Sequence, residues 1–202
     1  MIGGGLRRRL RLLSKPRQVR RALSVEGMIS DAEASRLMEL AAGVPDGECI
    51  VEVGSYRGRS TCALAIGAAN GARVYAIEPH ESFEGVLGGS FGPPDRRAFF
   101  ENLLRVGVVE RVRLVNLSAE VVCKGWTLPI GLLWIDGDHT EEGVRRDFGA
   151  FEPFLRPGGV VAFHDARDPE GGPARLIEEL RASGAYEPAA AVGELVALRR
   201  RA

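Results

Sequence analysis

CIVEVGSYRGRST, at residues 49–61, is the stretch of sequence that decides the fold. Its first five residues are mostly apolar and include β-branched side chains, which predicts a short buried strand. Gly54 and Gly58 then permit a tight turn, and Ser60 or Thr61 can cap the helix that follows. A buried strand that turns at glycines directly into a helix is the unit from which a helix-covered parallel sheet is built.

The same alternation of strand and helix continues along the chain. Further strands are predicted at residues 73–77, 112–115, 132–135 and 160–163, and helices at residues 60–69, 96–106, 119–124, 140–151 and 174–182. Ser30 and Glu33 form a capping-box pattern that predicts one more helix before the first strand. Residues 185–192 and 194–199 are strand-like pieces separated by a single glycine, which predicts an antiparallel hairpin. The expected fold class is α/β: a Rossmann-like, doubly wound, mostly parallel seven-stranded sheet with a C-terminal antiparallel hairpin.

The composition is that of an ordinary globular chain of 202 residues, with 45% hydrophobic and 27% charged residues and no formal net charge. The apolar runs are far shorter than the ~20 residues that a membrane helix needs, so no transmembrane segment is expected. No long apolar N-terminal stretch with a small-residue cleavage site is visible, so a cytoplasmic location is expected. The three cysteines are too widely spaced to indicate a disulfide framework or a zinc site, and we expect them in the core: Cys49, Cys62 and Cys123.

Positive charge is concentrated near the N-terminus, where residues 6–21 contain eight arginines and lysines and no acid. Leucines and a valine alternate with these charges, so the segment can form a solvated arm or a helix docked on the domain. A membrane-surface or partner role is the open alternative, and no nucleic-acid partner is expected. We therefore divide the chain into a basic N-terminal arm or helix at residues 1–25 and one α/β domain at residues 26–202.

An acid ends each of the first two predicted strands. Ligands of doubly wound sheets bind at the carboxyl ends of the strands. A carboxylate at Glu52 would repel a pyrophosphate but favour the cationic ammonium and sulfonium of S-adenosylmethionine. Glu78 lies where an acid reaches ribose hydroxyls in Rossmann-like folds, although a surface acid is the plain alternative. The expected cofactor-binding residues are Glu52, Gly54, Ser55, Ser60, Glu78, Ser118 and Asp136.

Two acids and a histidine follow the predicted strand at residues 132–135, in the sequence DGDH at residues 136–139. His164 and Asp165 follow the next strand. If these strands are neighbours, about 4.8 Å apart, the carboxylates of Asp136 and Asp165 share a small volume, which ordinarily requires a cation. Oxygen ligands favour Mg²⁺, with Mn²⁺ second because His164 can contribute a nitrogen.

Three other features lie around this expected metal site. His139 is expected to face the acceptor and take a hydroxyl proton near neutral pH, a surface histidine being the alternative. Asp138 with Glu141 forms a capping-box-like helix start, which favours a scaffold role. Residues 81–95 are rich in glycine and proline and are expected to form a lid.

Taken together, these segments resemble the small bacterial class I S-adenosylmethionine-dependent methyltransferases that include macrocin-type and mannoside sugar O-methyltransferases. The resemblance extends from residue 26 to the C-terminus. It is carried by EGMIS at residues 26–30, EVGSYRGRST at 52–61, IEPH at 77–80, IDGDH at 135–139, RRDF at 145–148 and LRPGGVVAFHD at 155–165.

The resemblance implies a class I methyltransferase domain at residues 26–202 that methylates a sugar or glycoside hydroxyl with Mg²⁺. It implies that Asp136 and Asp165 bind the metal and that His139 deprotonates the acceptor. Macrocin-type enzymes often have an acidic pair after the fifth strand, where this chain has His164 and Asp165, so His164 is taken as the further ligand.

Two alternatives stay open: a metal-independent small-molecule methyltransferase with His139 as the only base, and a cofactor-binding protein without catalysis in a biosynthetic complex. A nicotinamide-dependent oxidoreductase is not favoured, given Glu52 and the lack of a Gly-x-Gly-x-x-Gly run. The partner expected is a small-molecule acceptor, a saccharide by analogy, with a second subunit contributing to its pocket if the chain forms a homodimer.

Overall fold

The computed structural model describes residues 16–68, 71–84 and 90–202. Helices α1–α7 are Arg17–Leu23, Asp31–Ala42, Arg59–Gly67, Pro93–Val106, Ala119–Val122, Glu141–Phe151 and Gly172–Ala182. Strands β1–β9 are Cys49–Val53, Val74–Ile77, Phe83–Glu84, Ser90–Phe91, Val112–Val115, Ile130–Ile135, Leu155–Phe163, Tyr186–Val192 and Leu195–Arg200. Single turns of 3₁₀ helix occur at Val109–Arg111, Cys123–Gly125 and Glu152–Phe154.

Seven strands form the main sheet, in the order β5-β2-β1-β6-β7-β9-β8. The first five are parallel, whereas β9 pairs antiparallel with β7 and β8 pairs antiparallel with β9. The chain therefore runs outward from β1 through β2 and β5 and then crosses to β6 on the other side of β1. The predicted fold class and hairpin are confirmed, and the switch of direction between β1 and β6 is where a doubly wound sheet opens a crevice for ligands.

Strand β1 shows why the sheet is so apolar. All five of its residues are buried, because α2, α3 and α4 cover one face of the sheet and α6 and α7 cover the other. Ile50 packs in the first of these two cores and Val51 in the second, as the two-residue period of a strand requires. Glu52 lies on the Ile50 face and is fully buried, which leaves a carboxyl group inside the protein at the end of the central strand.

The segment before α2 packs against the domain. Ala22, Leu23 and Val25 are buried in the core beneath α3. The guanidinium of Arg59 donates hydrogen bonds to the carbonyls of Leu23 and Val25 at 2.9 and 2.7 Å and to the carboxylate of Asp31 at 2.7 Å. Most of the basic segment, at residues 1–15, lies outside the described residues, so the division of the chain at residue 25 stays a prediction.

Of two further local expectations, the lid at residues 81–95 stays a prediction and the helix cap at Asp138 is wrong. The expected lid at residues 81–95 contains the β3–β4 hairpin, and its last residues belong to α4, because Pro93 fits the first turn of a helix, where no N–H donor is needed. Residues 85–89 of that stretch lie outside the described part. Helix α6 is capped by Thr140 rather than by Asp138: the Thr140 hydroxyl accepts from the Gly143 N–H at 3.0 Å. Asp138 instead accepts from the Thr140 N–H at 3.0 Å.

The other sequence expectations about helices and cysteines are mostly confirmed. The capping box at Ser30 and Glu33 is formed as predicted. Cys49 and Cys62 are buried, whereas Cys123 is only half-buried. Within residues 16–68, 71–84 and 90–202, none of the helices combines the length and apolarity that crossing a bilayer requires.

Candidate cofactor and metal site

The β1–α3 turn needs both of its glycines for close packing. Gly54 has a φ of +85°, and a β-carbon there would lie 2.3 Å from the carbonyl oxygen of Asp136. Gly58 has a φ of +82°, and a β-carbon there would lie 2.9 Å from the ring of Phe99. The Gly54 N–H also donates to the carbonyl of Ile77 at 3.1 Å. The turn is therefore clamped between the ends of β2 and β6, at the carboxyl edge of the sheet.

Glu52 lies beneath this turn rather than in open solvent. One carboxyl oxygen, Oε2, accepts a hydrogen bond from the Thr61 hydroxyl, and the other, Oε1, is buried and has no hydrogen-bond partner among the described residues. Burial, reinforced by the charges of Asp136 and Glu78, raises the pKa of Glu52 to about 8. Glu52 therefore holds its proton near neutral pH, and a cation brought against it would favour the ionised form.

Glu78, at the end of β2, binds the backbone of the same turn. Its Oε2 accepts from the N–H groups of Ser55 and Tyr56, both at 3.1 Å. Its Oε1 accepts from the N–H of His80 at 3.1 Å. A carboxylate has about four acceptor positions, so one remains for a ligand hydroxyl.

His80 and Asn116 hold the loop after β2. The Asn116 amide donates to the carbonyl of Glu78 at 2.7 Å and contacts Nδ1 of His80 at 3.1 Å. Nε2 of His80 lies 3.0 Å from the carbonyl of Tyr56. Sequence reasoning missed Asn116, although its position directly after β5, at the carboxyl end of a parallel strand, was an available signal.

The residues expected to bind the cofactor occupy this edge in different ways. Glu52, Gly54, Ser55 and Glu78 meet at the β1–α3 turn, and the buried Ser55 hydroxyl has no hydrogen-bond partner within residues 16–68, 71–84 and 90–202. Two further members of the expected set differ in exposure: Ser60 is buried in the first turn of α3, whereas Ser118 is exposed before α5.

The metal-like cluster lies next to this turn, where β6 and β7 end. Asp136, His139 and His164 each offer one donor atom, and these atoms lie within 4.8 Å of one another. Oδ1 of Asp136 is 3.2 Å from Nδ1 of His164 and 3.5 Å from Nε2 of His139. Ligands that bind one ion at roughly 2.1 Å and nearly at right angles are about 3 Å apart, so this donor set fits a divalent cation.

Asp165, which the sequence analysis expected as a metal ligand, contacts the cluster through its two histidines. Its carboxylate accepts a hydrogen bond from Nδ1 of His139, and its Oδ1 lies 3.4 Å from Nδ1 of His164. Adjacent residues of a strand point to opposite faces, but Asp165 has a φ of +47°, which turns its side chain back toward His164. The pKa of Asp165 is lowered by the hydrogen bond from His139.

The two imidazoles carry the positive charge that the carboxylates require. Burial opposes protonation of His139, but the neighbouring carboxylates of Asp136 and Asp165 outweigh it and raise its pKa to about 10. The pKa of His164 is also raised, by Asp136, Asp165 and Glu33 against the effect of burial. A divalent cation at this position would replace that charge, and metal-binding imidazoles are neutral.

Glu33 extends the cluster toward the N-terminal part of the domain. It is buried in the first turn of α2, with Oε1 3.8 Å from Nε2 of His164. Oε1 also accepts from the Glu194 N–H at 2.6 Å, and Oε2 accepts from the Ser30 N–H at 2.6 Å. These hydrogen bonds keep the pKa of Glu33 low, although burial opposes its ionisation. Sequence reasoning had given Glu33 a capping role only, since nothing local connects it with His164.

Known proteins share this architecture. One is the O-methyltransferase TomG of Streptomyces achromogenes, which is involved in tomaymycin synthesis and was solved in complex with SAM. It has 16% identity, a TM-score of 0.69, and coverage of 94% of this chain and 92% of that chain. An O-methyltransferase from Bacillus cereus in complex with SAH has 20% identity, a TM-score of 0.68, and coverage of 94% and 93%. An rRNA methylase from Streptococcus thermophilus has 17% identity, a TM-score of 0.60, and coverage of 87% and 100%.

The solved structures have low sequence identity, so they show a common fold alone. A match to a family model shows which family the chain belongs to. Residues 51–166, more than half of the chain, match the model described as a methyltransferase domain. The matched segment runs from β1 through the end of β7 and so includes the β1–α3 turn, Glu78 and the Asp136, His139 and His164 cluster. The chain therefore belongs to the methyltransferase-domain family and has the class I, Rossmann-like fold of such enzymes.

Proposed function

We propose that the protein is an S-adenosylmethionine-dependent O-methyltransferase that acts on a hydroxyl of a small molecule with the help of a divalent cation. The observation that carries this proposal is the direct contact between the two halves of the site. Gly54, in the turn expected to hold the methyl donor, packs against the backbone of Asp136, a proposed ligand of the cation. A methyl donor held by the turn and an acceptor hydroxyl held beside Asp136 would therefore lie side by side, as an in-line transfer requires.

The β1–α3 turn has the chemistry to bind the methyl donor. S-adenosylmethionine, when bound, supplies an electrophilic methyl group on a sulfonium that becomes a neutral thioether after transfer. Glu52 and Ser55 each have a buried oxygen at this turn to which no described residue hydrogen-bonds, and such groups ordinarily find a partner in the functional state. Glu78 keeps an acceptor position for a ribose hydroxyl. Two solved relatives in fold are O-methyltransferases with SAM or SAH bound, which supports the same cofactor here.

The cluster beside the turn has the chemistry to bind a cation and the acceptor. A divalent cation, when bound, lowers the pKa of an acceptor hydroxyl; the resemblance to sugar O-methyltransferases implies Mg²⁺ in that role. Asp136 and His164 would hold the ion. His139 lies at the third corner of the cluster, with Nδ1 bonded to Asp165 and with Nε2 buried and without a hydrogen-bond partner in the described part of the chain. Asp165 thus keeps a proton on Nδ1, and a neutral His139 can take the hydroxyl proton at Nε2.

The proposed acceptor is a sugar or glycoside hydroxyl. A cavity of about 390 Å³ lies beside the β3–β4 hairpin and the start of α4. Its lining includes the charged or hydroxyl side chains of Arg57, Ser82, Ser90 and Asp95 together with the ring of Phe91. The lining of this cavity shares no residue with the Asp136, His139 and His164 cluster, so the resemblance to sugar O-methyltransferases is what supports a saccharide acceptor.

Calorimetric titration with S-adenosylmethionine, with and without a divalent cation, tests this function on the wild type and on Asp136→Asn. We expect the wild type to bind both and to methylate members of a panel of saccharides and phenols. Asp136→Asn should lose cation binding and methyl transfer, whereas Asp168→Asn, at an exposed acid of the loop after β7, should behave as the wild type. Absence of S-adenosylmethionine binding under every condition would overturn the proposal. Cofactor binding without methyl transfer to any acceptor would favour a non-catalytic role, and turnover that resists chelators would favour the metal-independent alternative.

A further inference from the structure

The donor set of the cluster differs from the oxygen-only set that suits Mg²⁺. The carboxylate of Asp136 is accompanied by the imidazole of His164, and the donor atoms of these two residues and of His139 lie within 4.8 Å of one another. Mg²⁺ prefers oxygen ligands in a near-ideal octahedron and loses its waters reluctantly. Imidazole is a ligand of transition-metal ions, whose affinity for nitrogen-containing sites rises from Mn²⁺ toward Cu²⁺ and remains high for Zn²⁺.

His164 is held as a metal-binding histidine usually is. Its Nδ1 faces the Asp136 carboxylate at 3.2 Å. Its Nε2 is buried and lies 3.8 Å from Oε1 of Glu33, and it has no hydrogen-bond partner in the part of the chain that the structure describes. The edge of Trp134 packs against the ring, with the centroids 5.8 Å apart. A ligating imidazole typically directs its second nitrogen to a carboxylate, which sets the tautomer and the ring orientation.

Glu33 is itself fixed by its own helix cap and by the distant β8–β9 turn. The Ser30 N–H binds its Oε2 and the Glu194 N–H binds its Oε1, both at 2.6 Å. Gly193, in the β8–β9 turn, approaches so closely that a β-carbon there would lie 2.4 Å from Oε1. The Glu33 carboxylate, next to the outer nitrogen of His164, is therefore a buried and well-fixed part of the fold and not a mobile surface group.

We infer that the cation site selects a transition-metal ion of the Mn²⁺ to Zn²⁺ series over Mg²⁺, with His164 as the selecting ligand and Glu33 as the positioning residue behind it. This inference rests on the proposed function for the role of the ion, but the binding preference is a property of the site alone. It reverses the order of metals that the spacing of acids in the sequence predicts.

Metal binding to the full chain tests the inference without any activity assay. Co²⁺ serves as a probe, because nitrogen ligation intensifies its visible d–d absorption, and Mn²⁺ binding is followed by loss of the free-ion electron paramagnetic resonance signal. We expect Mn²⁺ to bind the wild type at least about tenfold more tightly than Mg²⁺, so that Mg²⁺ displaces Co²⁺ poorly. Equal affinity for Mg²⁺ and Mn²⁺, or no binding of Co²⁺ and Mn²⁺, would overturn the inference.

Variants then separate the role of His164 from that of Glu33. His164→Asp should lower the Mn²⁺ to Mg²⁺ affinity ratio, since it restores an oxygen donor. Glu33→Gln keeps the size and the capping pattern but removes the charge, and we expect it to weaken Mn²⁺ binding by roughly 10- to 100-fold. Ser30→Ala is the control for helix capping. It removes the Ser30 hydroxyl that accepts from the Glu33 N–H and leaves the Glu33 carboxylate in place. Equal weakening by Ser30→Ala and Glu33→Gln would show that the cap alone matters and would contradict the positioning role.

S-adenosylmethionine binding, measured by calorimetry on the same samples, distinguishes the two proposals. Metal selectivity without cofactor binding would overturn the proposed function and leave the metal preference standing. Cofactor binding and methyl transfer without metal binding would overturn the metal preference and leave the methyltransferase activity standing.

Discussion

A β-carbon on Gly54 would lie 2.3 Å from the carbonyl oxygen of Asp136, the residue directly after β6. The lack of a side chain at Gly54 therefore lets the turn after β1 contact Asp136. The Asp136 N–H completes the link by donating to the carbonyl of Val53 at 2.8 Å. The candidate cofactor turn and the candidate metal ligand are therefore one rigid unit. Displacing either should disturb the other.

Gly54→Ala should weaken cofactor and cation binding together. The change adds left-handed backbone strain of about 1–2 kcal/mol and an overlap with Asp136 that costs about 1–3 kcal/mol more. Urea denaturation measures the stability, and calorimetry measures the two affinities. Gly107→Ala is a matched control, since Gly107 has a φ of +81° with nothing within 4 Å of a β-carbon. If both variants lose the same stability and ligand affinity, close packing at Gly54 is not what matters.

Glu52→Gln should change how stability depends on pH. The pKa of Glu52 rises from 4.5 to about 8 on burial, so between these values the folded protein keeps a proton that the unfolded chain has lost. The free energy of unfolding of the wild type therefore falls as the pH rises through this window, and the contribution is complete only below the lower value. Each pKa unit corresponds to about 1.4 kcal/mol, so the expected loss is roughly 2–5 kcal/mol.

Glutamine cannot ionise, so Glu52→Gln should remove this part of the pH dependence. Urea denaturation of both proteins at about pH 5 and about pH 8 isolates the effect, because every other titrating group is common to both. The variant should gain stability relative to the wild type as the pH rises. A constant difference between the two proteins across this range would mean that Glu52 ionises normally in the folded state.

Asp165→Asn should reduce methyl transfer while S-adenosylmethionine binding is retained. Asp165 accepts the hydrogen bond from Nδ1 of His139, and an amide can present a donor there instead, which disfavours the tautomer with a free Nε2. The turnover number should fall by roughly 10- to 1,000-fold. Asp168→Asn serves as the comparison, because the Asp168 carboxylate accepts only a local hydrogen bond from the Glu170 N–H among the contacts described for it. Unchanged turnover in Asp165→Asn would remove Asp165 from the catalytic arrangement.

Arg59→Ala should destabilise the protein and release its N-terminal segment. The Arg59 guanidinium is buried and binds Leu23, Val25 and Asp31, so its removal leaves acceptors unpaired at a cost of about 3 kcal/mol. Denaturation and limited proteolysis before α2 measure the effect. Arg36→Ala removes an exposed pair with Glu39 and should cost less than about 1 kcal/mol. Equal stability of the two variants would show that the segment is held by its apolar contacts alone.

The strands and helices followed closely from the sequence. Residues 49–53 and 112–115 were predicted as strands with the bounds that the structure has, because continuous apolar runs bounded by turn residues are a local signal. The β8–β9 hairpin was predicted in the same way. The bounds of β6 and β7 were less accurate: both begin earlier than predicted, at Ile130 and Leu155, because pairing with a neighbouring strand, rather than residue type, extends them.

The sequence predicted which edge of the sheet holds the site, but not the contacts and burial of the side chains there. The order of acids and histidines after β1, β2, β6 and β7 placed Glu52, Glu78, Asp136 and His164 at one edge, since the carboxyl ends of parallel strands meet there. That inference required the alternation of strand and helix and nothing else. It could not show that Glu52 is fully buried, because burial at a strand end depends on the helix that packs over it.

The sequence by itself therefore determined the α/β fold, the edge at which ligands bind and the residue types available for chemistry there, because these depend on hydrophobic period and chain order. Only the tertiary structure decided which groups touch. The left-handed backbone of Asp165 directs its carboxylate to His139, and the packing of α2 against the end of β7 and the β8–β9 turn brings Glu33 to His164. Such contacts join residues far apart in the chain, and they are set by packing and backbone direction that no local pattern encodes.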